Sequence, residues 1–265
     1  AGQGGGNVVT NSVCPDDVPA RFHACALAAA KTFNPPRTAD GKPDLGGYWR
    51  RRAAAFEDLL EHPRNPDDGG GPSVVVDPPD GKVPMQPWAD LRRRENAAKY
   101  LHHNAACLPA GAVPTMYMAN LYQFLQNRDY LAVVGEGLSE HPYRIIPLAT
   151  QPPLGKKLLL WQGDSRGHWE SNTLVIETTN QNARQYLDQR GRFYTDEART
   201  VERMTLIDAN TIHWQATIED ANVFTRPFTI AIAFRRNSDP TAEVWEESCY
   251  EDNGEQMQLF RNNGL

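Results

Sequence analysis

The sequence predicts a mainly β fold: an antiparallel barrel or strongly curved sheet with a helical, loop-rich N-terminal region. Three observations predict it. From residue 117 onward, nine short segments rich in β-branched and aromatic residues follow one another, with turn-forming residues between them. Several alternate with a period of two, the mark of a half-buried antiparallel strand. Ile212, Trp214, Ala216 and Ile218 oppose His213, Gln215, Thr217 and Glu219, and Phe228, Ile230, Ile232 and Phe234 oppose Thr229, Ala231 and Ala233. No β-α-β alternation interrupts the series, which argues against a parallel sheet. Closure would remove exposed strand edges, so an up-and-down, calycin- or lipocalin-like barrel is expected over residues 111–265.

Residues 1–110 are expected to form an irregular region with two short helices packed on that barrel. The first helix is expected over residues 19–32, where alanines and a leucine recur at helical spacing behind Pro19. The passage 35–49 is rich in Pro and Gly, and its Asp40-Gly41 and Gly46-Gly47 pairs read as turns. Residues 63–87 hold more Pro, Gly and Asp around one β-like run, Val74-Val75-Val76, and read as an ordered surface loop or a mobile lid. The second helix is expected over 88–103. Strands are then expected over 122–126, 130–134, 144–148, 157–161, 173–178, 201–207, 211–219, 228–235 and 244–250. Ser171-Asn172 and Asp208-Ala209-Asn210 supply hairpin turns. Residues 163–170 read as a short polar loop between two extended segments.

Composition bounds the partners. The chain has 265 residues, 40% of them hydrophobic and 9% aromatic, enough for one large core. A net charge of −6 argues against a nucleic-acid partner, which needs a concentrated basic face. The run Arg92-Arg93-Arg94 is followed at once by Glu95 and reads as a solvated helix face. No apolar run approaches the ~20 residues of a membrane-spanning helix. The small residues Ala1-Gly2-Gln3-Gly4-Gly5-Gly6 are compatible with what remains after removal of a secretory signal. Four cysteines, none in a Cys-x-x-Cys pair, allow three pairings. Cys14–Cys25 with Cys107–Cys249 is favoured, because the first bridge would staple a region with little core of its own. Such bridges belong to oxidising compartments, so a periplasmic or secreted location is expected.

The chain lacks a Gly-x-Gly-x-x-Gly turn, a phosphate loop, a Gly-x-Ser-x-Gly elbow and a His-Glu-x-x-His helix, so no nucleotide cofactor and no serine-hydrolase chemistry is expected. The most informative stretch is Gly163-Asp164-Ser165-Arg166-Gly167-His168-Trp169-Glu170. His168 and Glu170, two residues apart on a strand, would project from one face. A catalytic zinc normally needs three protein ligands, and only His213 offers itself as a third, so no metal is expected. The alternative is proton transfer, with Asp164 holding the His168 imidazole in one tautomer. The plainer reading of Asp164, Arg166 and Glu170 is a salt-bridged network that stabilises the turn. Glu177 follows the apolar pair Val175-Ile176. Facing a barrel interior it would be a candidate general acid or base. Arg203 could hold an anionic or polarised oxygen with its planar fork, and Tyr122, Trp214 and Tyr250 are expected to shape an apolar pocket.

The same block, running into Asn172-Thr173-Leu174-Val175-Ile176-Glu177-Thr178-Thr179-Asn180, resembles a family of exported bacterial proteins of largely undefined function. Asp40 to Trp49, Cys107-Leu108-Pro109, Tyr143 to Leu148, Val201-Glu202-Arg203, Glu219-Asp220, Thr225-Arg226-Pro227 and Cys249-Tyr250-Glu251 extend the resemblance over about residues 37 to 255. It implies export and the Cys107–Cys249 pairing, and it attaches no reaction. Where the family carries Trp-Glu-Gly before the next strand, this chain has Trp169-Glu170-Ser171. The expectation is therefore an exported, cofactor-independent enzyme doing acid–base chemistry on a small apolar or aromatic molecule, of lyase, isomerase, cyclase or hydratase type. His168 or Glu177 would move the proton. The competing expectation is a barrel-type carrier without catalysis. Neither fixes the oligomeric state.

Overall fold

The structure is a computed structural model that describes residues 8–64, 69–99, 107–136, 143–149 and 151–245, with positions 254, 255, 258 and 262. Ten strands form one antiparallel sheet that curls into a nearly closed barrel. The chain enters it with β1 (Gly47–Arg51) and β2 (Val75–Asp77), and β3 (Leu121–Gln126), β4 (Tyr130–Gly135) and β5 (Tyr143–Pro147) follow. The long meander β6 (Asp164–Glu170), β7 (Thr173–Thr179), β8 (Arg199–Asp208), β9 (Thr211–Glu219) and β10 (Phe228–Arg236) completes it. The order across the sheet is β5-β4-β3-β1-β10-β9-β8-β7-β6, and β2 pairs with β10 beyond the end of β1.

β5 and β6 face each other across the closing seam through side chains. Arg144 of β5 reaches Ser165 of β6, and a Cβ on Gly167 would lie 2.6 Å from Leu148 Cδ2 and 3.2 Å from Ile146 Cγ2. Glycine at 167 is therefore what lets the two walls approach. Gly163, just before β6, has φ +68, and a Cβ there would overlap the Thr179 carbonyl oxygen.

Three differences from the sequence reading have physical causes. Residues 47–51 form an interior strand between β3 and β10, so the segment expected to pack on the barrel, residues 1–110, supplies two of its strands. The Gly-rich lead-in hid a short strand whose Trp49 is fully buried. Residues 164–170 are a strand, not a loop: their polar side chains alternate with Ser165, Gly167 and Trp169, and period-two alternation survives even where both faces carry polar residues. Residues 157–161 form no strand, and Leu158, Leu159 and Leu160 remain exposed; only Leu160 makes an isolated bridge, to Gln181. A run of three leucines has no alternation to set a register. The last expected strand, 244–250, lies mostly outside the described residues.

The helices close and cover the barrel. α1 (Pro19–Ala29) lies on the outer surface, where Phe22 and Ala26 pack with Cys14 against Ile207 and Ala233. α2 (Pro87–Lys99) runs along a loop-rich flank, with only Ala89 and Asn96 buried, and the expected 100–103 extension lies outside the described residues. α3 (Ala112–Met118) is buried at every position, bonded through Tyr117 to the Leu187 carbonyl and through the Thr115 carbonyl to Tyr122 of β3. The core inside the barrel is filled by Trp49, Trp214, Tyr122, Phe124, Phe228 and Phe234, as a small barrel requires. Cys14 and Cys25 are disulfide-bonded and tie α1 to the segment before it. Cys107 is disulfide-bonded as well, while Cys249, its expected partner, lies outside the described residues.

Candidate functional site

One cross-strand row inside the barrel is polar. In register, Ser165 of β6 stands opposite Thr178 of β7, and Thr178 opposite Thr200 of β8. Arg144 of β5 continues the row across the seam, donating from Nη2 to Ser165 Oγ at 3.1 Å, and Ser165 and Thr178 share a hydroxyl bond of 2.9 Å. Two residues along β8, Glu202 faces the same interior. Arg144 grips it with two parallel bonds, Nη1 to Oε2 at 2.9 Å and Nη2 to Oε1 at 2.7 Å, and Trp214 Nε1 donates to Oε2 at 3.0 Å. β5 and β6 are the two ends of the hydrogen-bonded sheet, so this ion pair ties β5 across the seam, past β6 and β7, to β8 inside the barrel. Arg144 is 2% exposed and Glu202 fully buried. Two charges survive such desolvation only when paired and hydrogen-bonded, and the planar guanidinium matched to the carboxylate provides that.

A second polar layer lies under α3. Tyr194 Oη donates to Gln181 Oε1 and accepts from Gln185 Nε2, both at 2.6 Å. A Cβ on Gly111, the N-cap of α3, would overlap both Tyr194 Oη and Gln185 Nε2, so glycine makes room for this relay. Gln162 Nε2 donates to Thr115 Oγ1 at 3.2 Å, and Tyr122 Oη donates to the Thr115 carbonyl at 2.9 Å. Burial pushes the Tyr194 hydroxyl above its ordinary range, opposed by the bond from Gln185 and by the positive charge of Arg144, which places the two layers within electrostatic reach. Among the described residues five buried side-chain polar atoms have no hydrogen-bond partner, and four belong to these layers: Arg144 Nε, Gln181 Nε2, Gln185 Oε1 and Thr200 Oγ1. Native interiors leave few such atoms, so their concentration at one end of the barrel marks it chemically.

A cleft of about 380 Å³ lies outside the barrel, beside α2 and residues 82–87. Most of the ions along it are already matched, Asp90 with Arg93 and Arg94, and Arg192 with Asp58 and Asp188, while Lys82 also lines it. It offers less unspent polar chemistry than the lumen does.

The residues singled out in the sequence divide between the two faces of the barrel. His168, Glu170 and Arg203 are together on the outer face, with His168 Nε2 3.3 Å from Glu170 Oε1 and Arg203 Nη2 donating to Glu170 Oε2 at 2.7 Å. Those two bonds, Arg203 first, hold Glu170 below the ordinary carboxylate range. Glu177 also faces outward, 45% exposed, and accepts from Arg199 Nη2 at 2.6 Å; the interior position that would have made it an acid or base is not where β7 puts it. Asp164 accepts from Arg166 Nε at 2.9 Å and from the Leu154 amide at 2.8 Å, while the bonded partner of His168 is Glu170. Asp164 and Arg166 pair as in the plainer reading, while Glu170 pairs separately with Arg203 and His168. Tyr122 and Trp214 are interior, Trp214 in direct contact with the ion pair, and Tyr250 lies outside the described residues. His213 is buried on the outer face beneath α1, its Nε2 3.0 Å from His23 Nδ1. Among the described residues no three His, Cys, Asp or Glu side chains gather as a metal site.

Sequence reasoning missed Arg144, Glu202, Ser165 and Thr178. The signal was present in β8, where Thr200, Glu202, Met204 and Leu206 share one parity and end in two apolar residues. A carboxylate on the apolar parity of a strand is the one to suspect; Glu177, on the parity of Val175, was judged by its neighbours instead of its face. No known protein family and no curated protein matches the chain. Function is therefore argued from the site alone.

Proposed function

We propose that the protein is an exported enzyme whose own acid–base groups act on a small apolar or aromatic molecule held at the polar end of the barrel. The observation that carries this reading is the buried Arg144–Glu202 pair in a barrel otherwise packed with apolar side chains, with unpartnered polar atoms on Arg144 itself and on buried Thr200, Gln181 and Gln185. A small-molecule site has that make-up: apolar walls and a few convergent polar groups. Glu202 takes the proton-transfer role first expected of His168 or Glu177, and Arg144 the oxygen-holding role first expected of Arg203. Trp214 and Tyr122 form the wall. The reaction class is that of a lyase, isomerase, cyclase or hydratase. Export is supported by the disulfides and by the family resemblance.

A carrier that binds without reaction is the second reading, and one observation favours it. Both carboxylate oxygens of Glu202 are engaged, Oε1 by Arg144 and Oε2 by Arg144 and Trp214, so the carboxylate must exchange partners before it can accept a proton. Native mass spectrometry of the protein as isolated, followed by recovery of any adduct after incubation, separates the two. An adduct recovered chemically altered, with alteration slowed at least tenfold by Glu202→Asp and unchanged by His168→Ala, supports the enzyme. An adduct recovered intact from both proteins makes it a carrier.

A further inference from the structure

We propose that the Gln181–Tyr194–Gln185 relay is a head-group subsite that selects a neutral carboxamide, or a group of the same donor–acceptor pattern such as an un-ionised carboxylic acid. This rests on the reading that a small molecule enters this end of the barrel.

The argument begins with proton counting. A tyrosine hydroxyl has one proton to donate, and here it stands between two primary amides at 2.6 Å each. With the hydroxyl donating to Gln181 Oε1 and accepting from Gln185 Nε2, the atoms left over are the Gln181 amide nitrogen and the Gln185 amide oxygen, and both are without partners. Rotating both amides and reversing the hydroxyl exchanges the two glutamines but leaves the same remainder, one donor and one acceptor. Both side chains are fully buried, so neither remainder is met by bulk water. A carboxamide answers both at once, its oxygen to the donor and its N–H to the acceptor. The next unpartnered donor, Arg144 Nε, is a further match for a carbonyl oxygen, since that atom has two lone pairs.

Charge then decides between an amide and a carboxylate. Arg144 and Glu202 already neutralise each other by two parallel bonds. A carboxylate ion entering this interior would be a third, uncompensated charge, and burying one is far costlier than burying a hydrogen-bonded neutral group. It would also meet the oxygen of a glutamine it cannot donate to. The walls suit an uncharged ring: Tyr117, Tyr122 and Trp214 are fully buried beside these layers. Gly111 keeps the relay free of a side chain that would overlap it.

The test uses probes that share one ring and differ in the head: benzamide, benzoate and toluene. They are titrated into the full-length protein while the side-chain amide signals of Gln181 and Gln185 and the Arg144 Nε–H signal are followed by nitrogen-15 NMR. The expected result is that benzamide shifts all three, that it binds at least tenfold more tightly than benzoate or toluene, and that Tyr194→Phe, which removes the hydroxyl holding both glutamine amides in place, weakens it about tenfold. Gln185→Met serves as a second variant should Tyr194→Phe fail to fold, with the same weakening expected. Benzoate preferred, with the Arg144 signal moving and the glutamine signals still, overturns the subsite but leaves the small-molecule reading standing. Equal binding of toluene and benzamide overturns head-group selection alone. No shift of any of the three signals by any probe overturns both, and leaves the relay as a structural network satisfied by buried water.

Discussion

The inner and outer faces of strands β6 to β8 both carry carboxylate and hydroxyl side chains and use them in opposite ways. Outward, Arg166–Asp164, Arg203–Glu170 and Arg199–Glu177 form a ladder of ion pairs in which all but Asp164 are at least a quarter exposed. Inward, Glu202 and Ser165, each next in sequence to a member of that ladder, meet Arg144 of β5 and Thr178 in a buried layer. Exposed pairs are worth little, because water and salt already compensate the charges. The buried pair is costly to assemble and costlier to break, because nothing replaces a lost partner. Arginine–carboxylate pairing occurs on both faces. What differs is the dielectric, and with it the capacity to bind or react.

The largest expected effect comes from breaking the inner pair. Glu202→Leu removes the partner of Arg144 and the acceptor of Trp214 Nε1 at once, and Arg144→Met strands the carboxylate. Each should cost about 3–5 kcal/mol in urea unfolding, with the double replacement Arg144→Met/Glu202→Leu recovering most of that loss. Single costs below about 1 kcal/mol would mean that the lumen is hydrated in solution, and the contrast between the faces would collapse.

That contrast also explains how much could be read in advance. Strand identity was legible wherever alternation was strong, as in β9 and β10, because the large apolar parity itself records the face turned to the core. It failed at β1, whose glycines look like a turn until Trp49 is seen to need burial, and at β6, whose alternation is masked because the inner parity is held by Ser165, Gly167 and Trp169 instead of a run of aliphatic residues. The site failed for a related reason. Its partners come from β5, β6, β7, β8 and β9, and a bond across a closed sheet joins residues 58 apart for Arg144 and Glu202. No local motif encodes such a pairing. The dense polar block around His168 drew attention because its charges are adjacent in sequence, but adjacency of that kind is what an exposed ladder produces.

His213 sharpens the comparison, since it points outward yet is buried. Its burial comes from α1, where Phe22 meets the ring edge-on and His23 lies 3.0 Å away. Burial first, and then the neighbouring His23, lower its pKa to about 3; burial also lowers His23, opposed by the Asp77 carboxylate on β2. A histidine depressed in the folded state costs nothing above its ordinary pKa near 6.5. As pH falls below that value the unfolded or undocked state takes up the proton and the docked one does not, so stability declines progressively toward pH 3. Hydrogen exchange should show the α1 amides losing protection between pH 7 and pH 5 before those of β9, and His213→Asn should flatten that dependence. Simultaneous loss across both elements would show that α1 does not open on its own.

The bridge from Cys14 to Cys25 restrains that same helix, and the sequence separation of 11 sets a smaller effect. Closing a loop of this size is worth about 2–3 kcal/mol in the chain-entropy model. Cys14→Ser/Cys25→Ser should lower the unfolding free energy by about that amount and steepen the acid sensitivity of α1, leaving the barrel amides protected. A barrel that loses protection in parallel would mean that α1 docking is part of the global unit.

The smallest effect belongs to the residue that looked most catalytic from its neighbours. Glu177 and Arg199 sit 2.6 Å apart with 45% and 42% of their side chains exposed, and Glu219 shares the arginine at 3.5 Å. Glu177→Gln removes one of two carboxylates competing for one guanidinium in high dielectric, so the expected change is about 0.5 kcal/mol or less, a shift of roughly 1–2 °C in Tm. It should shrink further in 0.5 M salt, where such pairs are screened. Ligand binding and turnover should be untouched, as in His168→Ala, while Glu202→Asp alters both. Loss of turnover in Glu177→Gln at unchanged Tm would reverse the assignment of the two faces, because a screened, outward carboxylate would then be carrying the chemistry that desolvation reserves for the lumen.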